Sequence, residues 1–144
     1  MKKVLLIVTL LFKNYSLLRI FQIIETKKLL LKGESLEFGA SVNYKKNFSY
    51  FVGGNSKFYY SNIDNKKNTG FIKIDLRKNF KVKSNLYENI LIYNVVEHLD
   101  NHSNTFSEIN RILKKMEICL ALLLFYTRFM VHLKIILDLQ KIFF

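Results

Sequence analysis

The chain contains no proline and no tryptophan, one cysteine, and five glycines among 144 residues. The single Cys119 excludes an internal disulfide and any CxxC or multi-cysteine zinc site. A reducing compartment, and hence a cytoplasmic location, fits that usage. Acidic residues are scarce as well: 11 against 23 lysines and arginines, a formal net charge of +12. Such an excess invites an anionic partner. The basic residues are scattered, however, mostly as the pairs Lys2-Lys3, Lys27-Lys28, Lys45-Lys46, Lys66-Lys67 and Lys114-Lys115. No block, no RNP-like aromatic interleaving and no helix-turn-helix pattern accompanies them, so no specific nucleic-acid partner is expected. Long uninterrupted apolar runs are missing too. Val4 to Phe12 follows Lys2-Lys3 in the manner of a signal peptide, but Lys13-Asn14-Tyr15 stands where a cleavage site belongs. That run also falls short of the ~20 residues that span a bilayer. Arg128, His132, Lys134 and Asp138 interrupt the apolar stretch from Met116 to Phe144. Weak membrane association through apolar ends is the reading these segments leave open.

What is present suits one domain with a modest core: half the residues are apolar and 24% are charged. The abundance of Lys, Asn, Ile, Leu and Phe without proline reads first as an AT-rich coding sequence. From Leu17 to Leu31 the apolar residues fall largely on one helical face and predict an N-terminal helix. Strands are predicted over Ser35 to Ala40, Lys57 to Ile63, Gly70 to Leu76, and Asn89 to Val96. The last is apolar on both faces, as a buried parallel strand is. Ser103 to Lys115 predicts a helix with Phe106, Ile109, Ile112 and Leu113 as its stripe and Asn101 or Ser103 as its cap. This order implies an open α/β sheet. The expected divisions are an apolar basic helical segment over 1–32, an α/β domain over 33–115, and an apolar helical tail over 116–144.

The most telling stretch is Tyr87 to Lys115. Asn94-Val95-Val96-Glu97-His98-Leu99 resembles the N-V-L-E-H-L that closes the fourth strand in a broad group of class I S-adenosylmethionine-dependent methyltransferases. Phe106 to Lys115 resembles the helix and E-I-x-R-V-L-K-P turn that follow it there. The resemblance covers about Lys32 to Lys115. It implies a Rossmann-like methyltransferase sheet, incomplete here with about four recognisable strands, S-adenosylmethionine as cofactor, and methyl transfer to a small-molecule or glycan acceptor. Glu37-Phe38-Gly39-Ala40-Ser41 resembles the family's E-x-G-x-G turn, with Ser41 in place of the second glycine. That resemblance assigns Glu37, Gly39 and Ala40 to the cofactor. The acid that holds the ribose hydroxyls belongs near Asn62 or, two residues on, Asp64. Asp75-Leu76 resembles the D-L element at the adenine. Asn94 opens the element that closes the fourth strand, and ligands bind at the carboxyl end of such strands. His98 is the candidate base, although many relatives act chiefly by holding donor and acceptor in line. Each residue also has a plainer reading: Asp75 can simply end a strand, Asp64 can sit in a turn, and Glu97-His98 can cap a turn on the surface.

After Lys115 the resemblance ceases, and a shift of reading frame explains the change. The Met116-Glu117 codons conceal GGA in the next frame, Phe125-Tyr126 conceal a leucine codon, and Met130-Val131 conceal GGT. These glycines and this leucine fall where the family continues with a glycine turn, P-F-L-Y and I-H-G-A-P. A deletion in the adenine run encoding Lys114-Lys115 would produce the present tail, leaving the domain truncated in effect and weakly active or inactive. Independent sequencing of the locus across Lys114 to Glu117 tests this. An extra adenine restoring the family's continuation is expected; an intact run with no such continuation in the other frame would refute it.

Overall fold

A computed structural model describes the backbone of residues 2–63, 70–123 and 133–137, and side chains over 5–63 and 70–114. Two helices lead, α1 (Lys2–Phe12) and α2 (Leu17–Thr26). Strand β1 (Leu30–Phe38) follows, then two short 3-10 helices, Tyr44–Lys46 and Phe48–Phe51. Next come β2 (Gly53–Asn62), β3 (Ile72–Lys73) and β4 (Tyr87–Tyr93). A 3-10 turn, Val96–His98, leads to α3 (His102–Ile112), β5 (Leu113–Leu123) and β6 (Leu133–Leu137). The sheet order is β3-β2-β1-β4-β5-β6. Strands β1 to β5 pair in parallel and β6 joins antiparallel.

The α/β sheet expected from the sequence is the one that forms. Its centre follows from the period of two in strands. On β4, Ile90 and Ile92 join Leu36, Phe38, Ile109 and Ile112 in a core beneath α3. The alternate residues Leu91 and Tyr93 join Ile20, Ile23, Leu31 and Phe48 in a second core beneath α2. Both faces of β4 are therefore apolar because both are covered. Asn101 is the N-cap of α3, accepting from the Asn104 N–H at 3.1 Å.

Several boundaries differ from the sequence expectation; β1 and β2 begin earlier than expected, at Leu30 and Gly53. The N-terminal helix stops at Thr26, and the chain is already strand at Leu30, where Leu31 is needed in the second core. The third strand pairs only over Ile72–Lys73, while Ile74 and Leu76 still bury their side chains in the first core. The fourth strand ends at Tyr93, because Asn94 turns the chain at φ 54. The helix after it ends at Ile112, so Leu113 belongs to β5.

Over its described residues the tail is strand, which corrects the expectation of a C-terminal helical segment. Residues 118–122 run parallel to β4 from Asn89 to Tyr93, and 133–137 pair back antiparallel. An unpaired β4 edge offers a row of backbone donors and acceptors, and any apolar run without proline can satisfy them. Ile118 to Leu123 is such a run. The remaining tail residues lie outside those described.

No helix among the described residues is long and apolar enough to cross a membrane. Leu5, Val8, Leu11 and Phe12 of α1 are nevertheless exposed.

Gly54 fixes how β2 meets β1. Its φ is +97, and a Cβ there would sit 2.2 Å from the Leu31 carbonyl oxygen and 2.8 Å from the Leu31 nitrogen. Gly54→Ala is expected to lower stability by at least about 2 kcal/mol, combining the left-handed backbone with a backbone overlap. An unchanged urea midpoint would contradict this.

Candidate functional site

Strand β1 lies between β2 and β4. The chain leaves β1 towards one side and returns to its other side with β4, so the loops at their carboxyl ends diverge and leave a crevice. A cleft of about 570 Å³ opens there. Glu37, Phe38 and Gly39 line it from the end of β1, and Tyr93, Asn94 and Val95 from the end of β4. The segment between α1 and α2 contributes Lys13, Asn14 and Tyr15, and α2 itself contributes Arg19. The connection after β1 supplies Ser41, Lys46, Asn47 and Phe48.

Two left-handed residues shape the floor. Gly39 has φ +65, and a Cβ on it would stand 2.5 Å from Val95 Cγ2. Only glycine lets β1 and β4 diverge this closely. Asn94, at φ 54, exchanges amide hydrogen bonds with Gln22: Gln22 Nε2 donates to Asn94 Oδ1 at 2.8 Å, and Asn94 Nδ2 donates to Gln22 Oε1 at 3.3 Å. Asparagine tolerates that backbone region better than most residues. The pair ties the end of β4 to α2.

Glu37 is buried, yet each of its carboxylate oxygens has a hydrogen-bond donor. Oε1 accepts from the Phe48 N–H at 2.8 Å and Oε2 from the Ser49 N–H at 2.9 Å. These are the first amides of a 3-10 helix, which have no partner of their own within it. Glu37 therefore anchors the connection between β1 and β2. Phe48 in turn stacks on Tyr93 at 3.8 Å between centroids, and the Arg19 guanidinium lies 3.6 Å from the Phe48 centroid on the cleft side. Arg19 also donates to the Lys46 carbonyl. Burial pulls the Arg19 pKa below its ordinary value despite nearby Glu37. Burial likewise pushes the Tyr93 phenol up to about 12, against a hydrogen bond with Thr26 at 2.9 Å.

The structure gathers Glu37, Gly39 and Asn94 of the sequence-predicted site in one cleft. Ala40 is buried, donating to the Ser61 carbonyl at 3.1 Å. Asn62 Nδ2 donates to the Ala40 carbonyl at 3.0 Å, closing the β1 turn onto β2. Asp64 lies outside the described residues. Asp75 holds Arg77 at 2.9 and 3.1 Å, contacts that lower its pKa. Leu76 is buried, and its carbonyl accepts from Thr105 Oγ1 at 2.8 Å. His98 is exposed on the turn after β4 and does not line the cleft.

Sequence reasoning missed the N-terminal contribution to the cleft. One signal was available. Arg19 and Gln22 are the polar residues within the otherwise apolar run Leu17 to Ile24, and both face partners at the sheet's carboxyl end. No cluster that could hold a metal ion occurs among the described residues.

No protein-family profile matches the chain, and no curated protein matches it. Solved structures do. A protein from Methanococcus maripaludis assigned as an S-adenosylmethionine-dependent methyltransferase superimposes with TM-score 0.55 at 12% identity, over 71% of this chain and 53% of that one. An S-adenosylmethionine-dependent methyltransferase from Aquifex aeolicus gives 0.52 at 15%, over 69% and 60%. Another from Thermotoga maritima gives 0.54 at 16%, over 71% and 49%. The chain thus has a class I methyltransferase-like fold and spans about half the length of these neighbours.

Tyr93 provides a pH signature for the region. In the unfolded chain a tyrosine ionises near pH 10; in the fold Tyr93 holds its proton to about 12. Between those values the unfolded chain binds fewer protons, so this contribution is whole below pH 10 and is lost as pH rises towards 12. Denaturation midpoints should fall across that window, and less so in Tyr93→Phe. That variant should also lose about 0.5–1.5 kcal/mol at neutral pH with its Thr26 hydrogen bond. An identical alkaline decline in both proteins would exclude Tyr93 as the cause.

Proposed function

We propose that this chain derives from an S-adenosylmethionine-dependent methyltransferase and binds that cofactor weakly in the cleft between β1 and β4. One observation carries the reading: the cleft lies where the strand order reverses, and the floor there is Gly39 and Asn94. Ligands of open α/β sheets bind at that place. When bound, the cofactor supplies an electrophilic methyl group on its sulfonium.

The residues fit one end of the cofactor better than the other. Gly39 lets backbone approach the ligand, and the cleft is of ligand size. Glu37 keeps the β1 turn in place through the Phe48 and Ser49 amides and so positions the floor. Asn94 holds the opposite wall through Gln22. Asn62 and Asp75, the counterparts of the adenosine contacts, are already engaged with Ala40 and Arg77, so adenosine binding must exchange those bonds. His98, exposed just beyond Val95, is the residue we assign as an optional base. The acceptor, small molecule or glycan, does not follow from a fold. On this reading a reading-frame change after Lys115 impairs the domain, and little or no turnover is the expected outcome.

Titration calorimetry with S-adenosylhomocysteine tests this. Saturable but weak binding is expected, lowered at least tenfold in Gly39→Val, with circular dichroism confirming that the variant folds. Absence of binding to the folded wild-type chain would overturn the reading. Retention on anionic vesicles against salt, without cofactor binding, would favour the rival: a small basic membrane-associated protein using the exposed α1 residues Leu5, Val8, Leu11 and Phe12. Efficient methyl transfer would refute the impaired state.

A further inference from the structure

The cleft carries more positive charge than the single carboxylate of a sulfonium methyl donor would call for. Three cations line it: Lys13, Arg19 and Lys46. The one carboxylate among the lining residues is Glu37, and both of its oxygens already accept from backbone amides. Among the described residues no acid forms an ion pair with Lys13, Arg19 or Lys46. Arg19 is half-buried, and the Lys46 carbonyl takes only one of its five N–H donors. Burial lowers its pKa, and nearby Glu37 offsets that only in part. Its Cζ lies 3.6 Å from the centroid of the Phe48 ring, a contact that restrains the guanidinium at the cleft.

The three cations come from separate parts of the chain. Lys13 precedes α2, Arg19 lies within it, and Lys46 belongs to the connection after β1. Tertiary structure alone gathers them at one cleft. Elsewhere several basic side chains have acidic partners: Lys28 with Glu25, Arg77 with Asp75, Arg111 with Glu108, Lys114 with Glu88. In a concave site such an unbalanced set focuses a positive potential and draws anions in.

We infer that Lys13, Arg19 and Lys46 form an oxyanion subsite, and that the methyl acceptor of this cleft carries a phosphate or carboxylate group. The second half of that inference rests on the cofactor reading above; the subsite itself does not. Arg19 supplies the planar fork, and the two lysines supply mobile charges at the rim.

The test uses the full chain, with inorganic phosphate and acetate as probes at constant ionic strength, followed through backbone amide NMR shifts. Saturable shifts at Lys13, Arg19, Lys46 and Asn47 are expected. Lys13→Gln with Lys46→Gln should weaken phosphate binding at least fivefold, and Arg19→Gln at least tenfold. The lysine pair is exposed, so that variant keeps the test decisive should Arg19→Gln fail to fold. Equal phosphate and acetate affinity in the wild type and the lysine variant would overturn the subsite. A second titration is run with saturating S-adenosylhomocysteine. Retained phosphate binding supports an acceptor site. Its loss would show that the cations serve the cofactor's own carboxylate and would overturn the acceptor assignment. If S-adenosylhomocysteine does not bind at all, the cofactor reading and the acceptor assignment fall together, while the subsite is decided by the first titration.

Discussion

Everything in this molecule depends on β1 and β4 lying side by side in parallel, β4 buried on both faces and β1 buried over Ser35 to Phe38, where the two strands pair. Leu36 and Phe38 of β1 and Ile90 and Ile92 of β4 fill the core beneath α3, while Leu31, Leu91 and Tyr93 fill the core beneath α2. At roughly 25 cal/mol per Å² of apolar surface, fully burying one such side chain is worth about 1.5–3 kcal/mol. The buried stretches of these two strands concentrate that gain where the sheet reverses its order. The same pairing opens the cleft, because the two chains must part once the strands end.

The cleft is held open by polar contacts rather than by packing alone. Glu37 would be costly in this interior without partners; with the Phe48 and Ser49 amides it instead fastens the connection to β1. The Gln22–Asn94 pair does the same for the other wall. Arg19 ties α2 to the connection after β1, against the ring of Phe48 and onto the Lys46 carbonyl. The α1–α2 arm is thus part of the site. It occupies the place from which charge and shape at the cleft are set, and it bears the exposed apolar residues of α1.

Much of the sheet was legible in advance. The doubly apolar run Asn89 to Val96 announced a buried parallel strand, and the stripe Ile109 and Ile112 announced its covering helix. Boundaries were less legible, for physical reasons. Leu30 and Leu31 continue the helical pattern of α2, and only the second core decides that they are strand. Ile118 to Leu123 suits helix or strand equally by composition, and the open edge of β4 selects strand. Within the site, Glu37 and Gly39 stood out because their spacing matches a known turn. Arg19 and Lys46 did not, because nothing in a linear sequence places a residue of α2 over the loop after β1.

The sequence by itself determined the alternation that buries β4 on two faces, the glycine at position 39, and the helix from His102 to Ile112. These are local properties: side-chain period, backbone freedom and capping act within a few residues. Tertiary structure alone decided that the tail extends the sheet, that the Glu37 charge is spent on backbone amides, and that Lys46 shares one cleft with Lys13 and Arg19 of the N-terminal arm. Those outcomes turn on which groups meet across the fold, and on which donors and charges are left there without partners.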